Sequence, residues 1–263
     1  MWLKLGKAPQ TDMHITAFSP SPELSGFVEC YGLWHNDPEP GPPAAATAHS
    51  PPADLPPFSA QDPLGFARRM LWLRLPDRDE GLSIFFRPAG LYHLFGVSPA
   101  KGRTARAEPG EAALAFVDAL LHRMQEAGSH VAWPAAADEL LLAHAAHTTA
   151  LPDAVDAVAG SILRQEGRVS IEALAQGVGL SRRQLERRFL AEVGTAPKLY
   201  ASLVRFNHAF RLLAASPAPN WQDVAYACGY YDQAHLIREF RRFTGQAPSA
   251  FFKANPEQPI PAA

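Results

Sequence analysis

Residues 169–252 read VSIEALAQGVGLSRRQLERRFLAEVGTAPKLYASLVRFNHAFRLLAASPAPNWQDVAYACGYYDQAHLIREFRRFTGQAPSAFF, and the same pattern occurs in them twice. Leu174-Ala175-Gln176-Gly177-Val178-Gly179 aligns with Val224-Ala225-Tyr226-Ala227-Cys228-Gly229. Beyond the glycine, Leu185 falls on Leu236, Phe189 on Phe240, Gly194 on Gly245, Pro197 on Pro248 and Tyr200 on Phe251. The offset is 50 residues up to the glycine and 51 after it. One residue has been inserted in the turn and the register recovers behind it, which identifies two copies of one supersecondary unit.

Each copy reads as helix, tight turn, helix. Ile171, Leu174, Ala175 and Val178 recur at three- and four-residue steps and give one apolar face. Gly179 accepts the left-handed conformation that a helix C-terminus needs. Ser181 is suited to cap the next helix through an orphan amide. That helix buries Leu185 and Phe189 and leaves Arg182, Arg183, Gln184, Glu186, Arg187 and Arg188 outside the pair. In the second copy Val224, Ala225 and Cys228 face inward, Gly229 ends the helix and Asp232 caps the next. Leu236, Phe240 and Phe243 are expected in the core there, with Gln233, His235, Arg238, Arg241 and Arg242 exposed. The units span about residues 170–193 and 220–244.

A second helix rich in arginine and amides suits the major groove. The Arg fork matches guanine O6 and N7, Gln pairs two ways with adenine, and the remaining cations meet phosphates. A solvated arginine-rich face is the bland counterpart. The duplication weighs against it, because both copies place cations on the same helix.

The span from about Asp153 to Phe252 resembles the DNA-binding domain of AraC/XylS-type bacterial transcription regulators. The residues that carry the likeness are LA-x-x-VGLS-x-x-x-L-x-R-x-F-x-x-x-x-G-x-x-P-x-x-Y from Leu174 to Tyr200 and VA-x-x-CG-Y-x-DQ-x-H-L-x-R-x-F-R-R-x-x-G-x-x-P-x-x-F from Val224 to Phe251. The resemblance implies seven helices, two of them recognition helices, joined by one long helix, in residues 153–254. It also implies double-stranded DNA and RNA polymerase as partners, and a small-molecule effector and a homodimer as further ones. Its DNA-contacting positions fall on the residues singled out above: Ser181 and Gln184 at the start of the first reading helix, Arg183, Glu186 and Arg187 toward the bases, and Gln233, His235 and Arg238 toward the bases in the second unit, while Arg182 and Arg242 are expected nearer the phosphates.

Between the units, Pro197 to Ala215 reads as the joining helix, with Leu199, Leu203, Phe206, Phe210 and Leu213 inward. At a 1.5 Å rise its length is about 28 Å. Successive major-groove faces on one side of DNA repeat every ~34 Å, so such a rod can hold two reading helices about one turn apart. A rigid rod would require bent DNA.

Charge distribution supports a polyanion partner where net charge does not. The chain as a whole carries −2. From Ala154 to Lys253 there are 13 Lys+Arg against 8 Asp+Glu, a net +5, and the rest carries 11 against 18, a net −7. Such asymmetry fits an acidic module joined to a nucleic-acid-binding one. Cys30 and Cys228 are the only cysteines, so neither a disulfide framework nor zinc spacing is available, which suits a reducing cytoplasm. No apolar run reaches membrane-spanning length, and no signal peptide is recognised.

Residues 1–150 read as a small, irregular α/β region, making the chain α+β. Strands are expected at Met13–Phe18, Val28–Trp34, Leu71–Leu75 and Leu82–Phe86, with one helical turn in Glu23–Phe27 and a short helix in Leu64–Met70. Tyr31 and Trp34 are expected in the core. Asp37 to Pro63 carries nine prolines, which removes ladder donors and points to a long loop or linker over about 36–63. Little amide-exchange protection is expected across that span; slow exchange throughout it would sink this reading. Pro88 is placed at the first position of a helix that Gly96 ends. Ser19–Tyr31 and Arg87–Val97 resemble segments of the sensor half of one AraC-type subgroup, in reduced form. Glu111–Ala127 is expected as an amphipathic helix with Leu114, Val117, Leu121 and Met124 inward, and Trp133–His147 as another. His122, His130, His144 and His147 do not make a metal site by spacing, so neither metal nor cofactor is expected. Asp153 is expected to cap a helix reaching Glu166, with Val155, Val158, Ile162 and Leu163 inward.

An enzyme carrying the two units as a targeting module is the alternative, as is an N-terminal protein-interaction domain. Alkyl-transfer enzymes of that build use a cysteine in a setting such as Pro-Cys-His, whereas Cys30 sits in Val-Glu-Cys-Tyr. GxSxG, P-loop and HExxH strings do not occur, so no catalytic residue is expected.

Overall fold

The computed structural model of the chain describes residues 14–35, 70–75, 80–98, 110–148, 151–214 and 220–254. The sheet and its helices, to Asp156, form one compact unit, and most of the rest, from Ala157, forms a second.

In the first unit β1 (His14–Phe18), β2 (Val28–His35), β3 (Met70–Arg74) and β4 (Glu80–Phe86) make an antiparallel sheet in the order β1-β2-β4-β3. A 3-10 turn at Pro22–Leu24 joins the first two strands. The expected loop at 37–63 and the expected helix up to Arg69 lie outside the described residues; Met70 opens β3 instead of ending a helix. Successive side chains of a strand face opposite sides, and both sides of β2 are buried. Tyr31 and Leu33 join the core cluster, while Cys30 and Trp34 are buried on the other side. Trp34 stands opposite Gly81, where a Cβ would lie 2.1 Å from the indole. Only glycine fits there.

Helices α1 (Gly90–Phe95), α2 (Glu111–Glu126) and α3 (Trp133–Ala145) complete this unit. Two expectations need correction. Pro88 lies two residues ahead of the first helical position, which Gly90 occupies; Gly96 does end the helix, at φ 66°. In α2 the buried stripe is Ala113, Phe116, Val117, Leu120 and Met124, and Leu114 is 44% exposed. Val117 and Met124 belong to both candidate stripes. Phe116, with more area to bury than Leu114, decides between them. Its ring lies 5.3 Å from that of Phe95. Asp138 of α3 accepts from the Ser21 amide at 2.9 Å, from the Ser21 hydroxyl, and from Tyr31 OH at 2.8 Å, fixing the helix to β2 and the turn before it.

The second unit repeats itself as the sequence does. Helix α4 (Ala154–Arg164) leads into α5 (Ile171–Gly177) and α6 (Arg182–Val193); α7 (Pro197–Ala214) joins these to α8 (Trp221–Ala227) and α9 (Gln233–Thr244), and α10 (Pro248–Ala254) closes the chain's described part. The first-copy helices and their second-copy counterparts start 50 and 51 residues apart, as the alignment requires. Gly179 and Gly229 have φ 69° and 72°, and Gly194 and Gly245 have 84° and 77°. These left-handed values cost other residues energy, so the repeated glycines are turn requirements. Leu185, Phe189, Leu236 and Phe240 are all fully buried. Phe240 lies among Phe206, Phe210, Phe251 and Phe252, with ring centroids 5.2 to 6.2 Å away. Leu163, expected inward, is 36% exposed, and Phe243 is half-buried.

Candidate nucleic-acid interface

Both turns end at a capped helix. Ser181 Oγ accepts from the Gln184 amide at 3.3 Å, while Gln184 Oε1 accepts from the Ser181 amide at 2.8 Å and its hydroxyl at 2.7 Å. This reciprocal capping box satisfies orphan donors at the start of α6. In the second unit Asp232 Oδ1 accepts from the His235 amide at 2.6 Å. Helices α5 and α8 are capped in parallel: Ser170 accepts from the Ala173 amide, and Asn220 from those of Gln222 and Asp223. The sequence signal for those two caps is a Ser and an Asn 50 residues apart, each one position ahead of a repeated helix.

The candidate contact residues of α6 are not equivalent. Arg183 and Arg187 are exposed and share a face at i,i+4, and no hydrogen bond or ion pair among the described residues engages them. Arg182 is exposed and its Nε lies 2.9 Å from Glu186 Oε1. Gln184 is exposed too, but its carbonyl oxygen is occupied by the cap, leaving its amide NH2 for a base. Arg188 is half-buried and engaged within the protein.

In α9, Gln233, Arg238, Arg241 and Arg242 are exposed, with the Arg242 guanidinium 5.4 Å from the Phe243 ring centre. His235 is a correction. It is half-buried, its ring edge-on to Tyr230 at 5.3 Å, so only part of the imidazole is available outward. Glu239, one position past Arg238, is buried.

Several other described histidines have partners within the chain. His144 Nε2 lies 2.6 Å from the Leu94 carbonyl and stacks on Phe95; His122 pairs with Glu126 and His130 with Glu80. His93, Asp153 and Asp156 do converge, within 4.8 Å of one another, which their spacing in the chain conceals. Their atoms are occupied as a helix cap: Asp153 Oδ1 accepts from the Val155 amide, and Asp156 Oδ2 accepts from the Asp153 amide while facing His93 Nε2 at 2.7 Å. The Cys30 thiol is buried and pushed up to about 12, chiefly by desolvation, so it is held protonated at neutral pH and lacks the thiolate a nucleophile needs.

Two half-buried histidines give the units opposite pH responses. The hydrogen bond to Asp156 raises the His93 pKa above 6.5, against desolvation. Its contribution to stability is therefore present in full below about 6.5 and is lost as pH rises through the raised value. Desolvation lowers His208, against the Glu166 charge. Its contribution is present above about 6.5 and is lost as pH falls from there toward the lowered value. Urea titrations of the full chain at pH 5.5 and 8 should show His93→Gln destabilising the first unit at the lower pH only. Equal loss at both would sink the assignment.

No described helix is long and apolar enough to cross a membrane. A family model described as a helix-turn-helix domain matches residues 174–254. The HTH-type transcriptional activator RhaS of Escherichia coli is 35% identical over 80 residues, which are 30% of this chain and 28% of that protein. The chain thus spans less than a third of the length of the curated relatives it matches. Among solved structures, the DNA-binding domain of AdpA in complex with a target DNA is 31% identical, covering 39% of this chain and 93% of that one, at a TM-score of 0.36. An AraC-type regulator from Chromobacterium violaceum is 28% identical over 40% of this chain and 94% of that one, at a TM-score of 0.35. With the family match coinciding with the duplicated capped units, residues 174–254 are a helix-turn-helix domain of the AraC/XylS type.

Proposed function

We propose that the chain is a sequence-specific DNA-binding transcription regulator that inserts α6 and α9 into adjacent major-groove segments. The observation that carries this reading is the duplication itself. Each copy ends in a capped helix with exposed arginines on its outer side, Arg183 and Arg187 in one and Arg238, Arg241 and Arg242 in the other. The 18 residues of α7 span about 27 Å, compatible with helices about one groove repeat apart. Arg183, Arg187, Gln233 and Arg238 are the proposed base readers, with Glu186 accepting from a cytosine amine; Arg182 and Arg242 are the proposed phosphate contacts. RhaS is named a transcriptional activator, and by that likeness activation through RNA polymerase is the sign we favour. The first unit is then the place for a small-molecule effector or for contact with a second copy.

The test is a fragment from Asp153 to the C-terminus. It should be helical and should shift a duplex selected from a random library, with preference of about 10³-fold or more over unrelated sequence. A fragment that folds and shows no sequence preference overturns the reading.

A further inference from the structure

The turn between α4 and α5 reaches the turn of the second helix-turn-helix unit. Glu166 and Gly167 both adopt left-handed backbone, at φ 53° and 75°. A Cβ at Gly167 would lie 2.2 Å from the Ala201 carbonyl oxygen and 2.8 Å from the Arg205 amide nitrogen, so this turn rests directly on the backbone of α7. Two side chains extend from it. Glu166 Oε1 lies 3.3 Å from His208 Nδ1 in the middle of α7, and Glu166 Oε2 lies 3.1 Å from Arg168 Nη2. Arg168 then crosses 59 positions of sequence to donate from Nη1 to the Ala227 carbonyl at 3.2 Å. That carbonyl is in the last turn of α8, where a cation meets the negative end of the helix. The stem of Arg168 lies on Gly229, where a Cβ would sit 2.9 Å from Cδ.

One turn along α7 from His208, Arg205 reaches the other side of the same turn. Its guanidinium lies over the Tyr230 ring at 5.0 Å, and Nη2 is 3.8 Å from the buried Glu239 of α9. The segment that enters the first helix-turn-helix unit is therefore joined to α8 and α9 without passing through the ends of α7. The crossing gives α8 its C-terminal cation from a residue 59 positions away in sequence.

Resting on the proposed DNA-reading function, we infer that Arg168, oriented by Glu166, is a positioning residue that holds the two reading helices at one separation and thereby sets the half-site spacing the protein accepts. Phe206 and Phe210 of α7 already seat α9 and α10 along the rod, a contact on one side that leaves a small rotation of the second helix-turn-helix unit open. A brace from the turn before α5 to the end of α8 restricts that motion, and the restriction is felt only when both helices engage DNA together. Removing it should act as a loss of coupling between half-sites, a loss that typically falls in the range of about 5–150-fold.

The test uses the full chain and a duplex that it selects from a random library. Binding is compared across that duplex, versions with one base pair inserted or deleted between the half-sites, and versions with one half-site scrambled. Arg168→Met keeps the stem on Gly229 and removes the donors. It should weaken the intact duplex about tenfold, leave each single-half-site duplex within about twofold, and shrink the preference for native over altered spacing, with Arg168→Lys recovering part of that preference. Equal weakening on every duplex would make Arg168 a phosphate contact or a general stabiliser, and an unchanged spacing preference would remove the brace; either result overturns the inference. Should Arg168→Met lose its helical signal, the comparison passes to Glu166→Gln, in which an unchanged spacing preference overturns it equally. A wild-type chain that selects no duplex would remove the DNA-reading function and this inference together, a result distinct from the others.

Discussion

Phe240→Ala should cost about 3–5 kcal/mol, the range for deleting a fully buried aromatic side chain. The expected outcome is local unfolding of the second helix-turn-helix unit, because a domain's whole stability is only about 5–15 kcal/mol. Phe240 has no exposed surface and lies among rings from α7 and α10. Little in that setting can relax into the cavity, since the surrounding rings are held by two separate helices. Phe243, one turn later on α9 and near only Phe206 among the rings given above, is half-buried. Phe243→Ala should accordingly lose less. Urea titrations followed by circular dichroism, with a gel shift in parallel, separate the two. The Phe240→Ala protein should lose DNA binding first, while the sheet unit, whose core contains none of these rings, keeps its own transition. A Phe240→Ala loss no greater than that of Phe243→Ala would refute this account of the second unit's core.

How much of this was legible beforehand depended on the range of the interaction. The repeat was visible because its anchors are local. A glycine in left-handed backbone, a Ser or Asp cap and an i,i+4 apolar pair each constrain a few neighbouring residues, and all of them recur at the expected positions. Where a side chain's position depends on distant partners, the sequence misled. His235 looked outward on the helix pattern, but Tyr230 covers one side of it. Arg188 stands at an outer position by spacing and is half-buried. Glu239 drew no notice, since an acid on a basic helix reads as solvated; it is buried opposite Arg205, 34 positions earlier in the chain. The His93–Asp156 pair spans 63 positions and leaves no periodic trace. The phase of α2 failed for another reason: two apolar stripes shared residues, and only the packing of Phe116 against Phe95 distinguished them.

Arg187→Ala and Arg182→Ala should differ in kind, and the structure sharpens that difference. Arg187 is exposed, lies on the Arg183 face of α6 away from Leu185 and Phe189, and is unengaged among the described residues. On the proposed reading it would enter the groove with its full donor fork available to a guanine. Losing a base-reading arginine costs about 1–3 kcal/mol and relaxes preference at one base position. Arg182 is paired with Glu186, through Nε at 2.9 Å, and on the same reading would meet DNA in that state. Only its terminal nitrogens remain for a phosphate, and its removal leaves an unbalanced carboxylate near the DNA backbone. Arg182→Ala should thus weaken all sequences alike and lower the salt slope by about one. The Arg182→Ala/Glu186→Ala double variant should recover part of that affinity, because the repulsive carboxylate goes with its partner, although any cytosine that Glu186 reads would lose its preference. Affinity measured against a panel of single-base operator variants at several salt concentrations distinguishes these cases. If Arg187→Ala weakens every variant equally, the Arg183–Arg187 face does not read bases, and α6 enters the groove on another side.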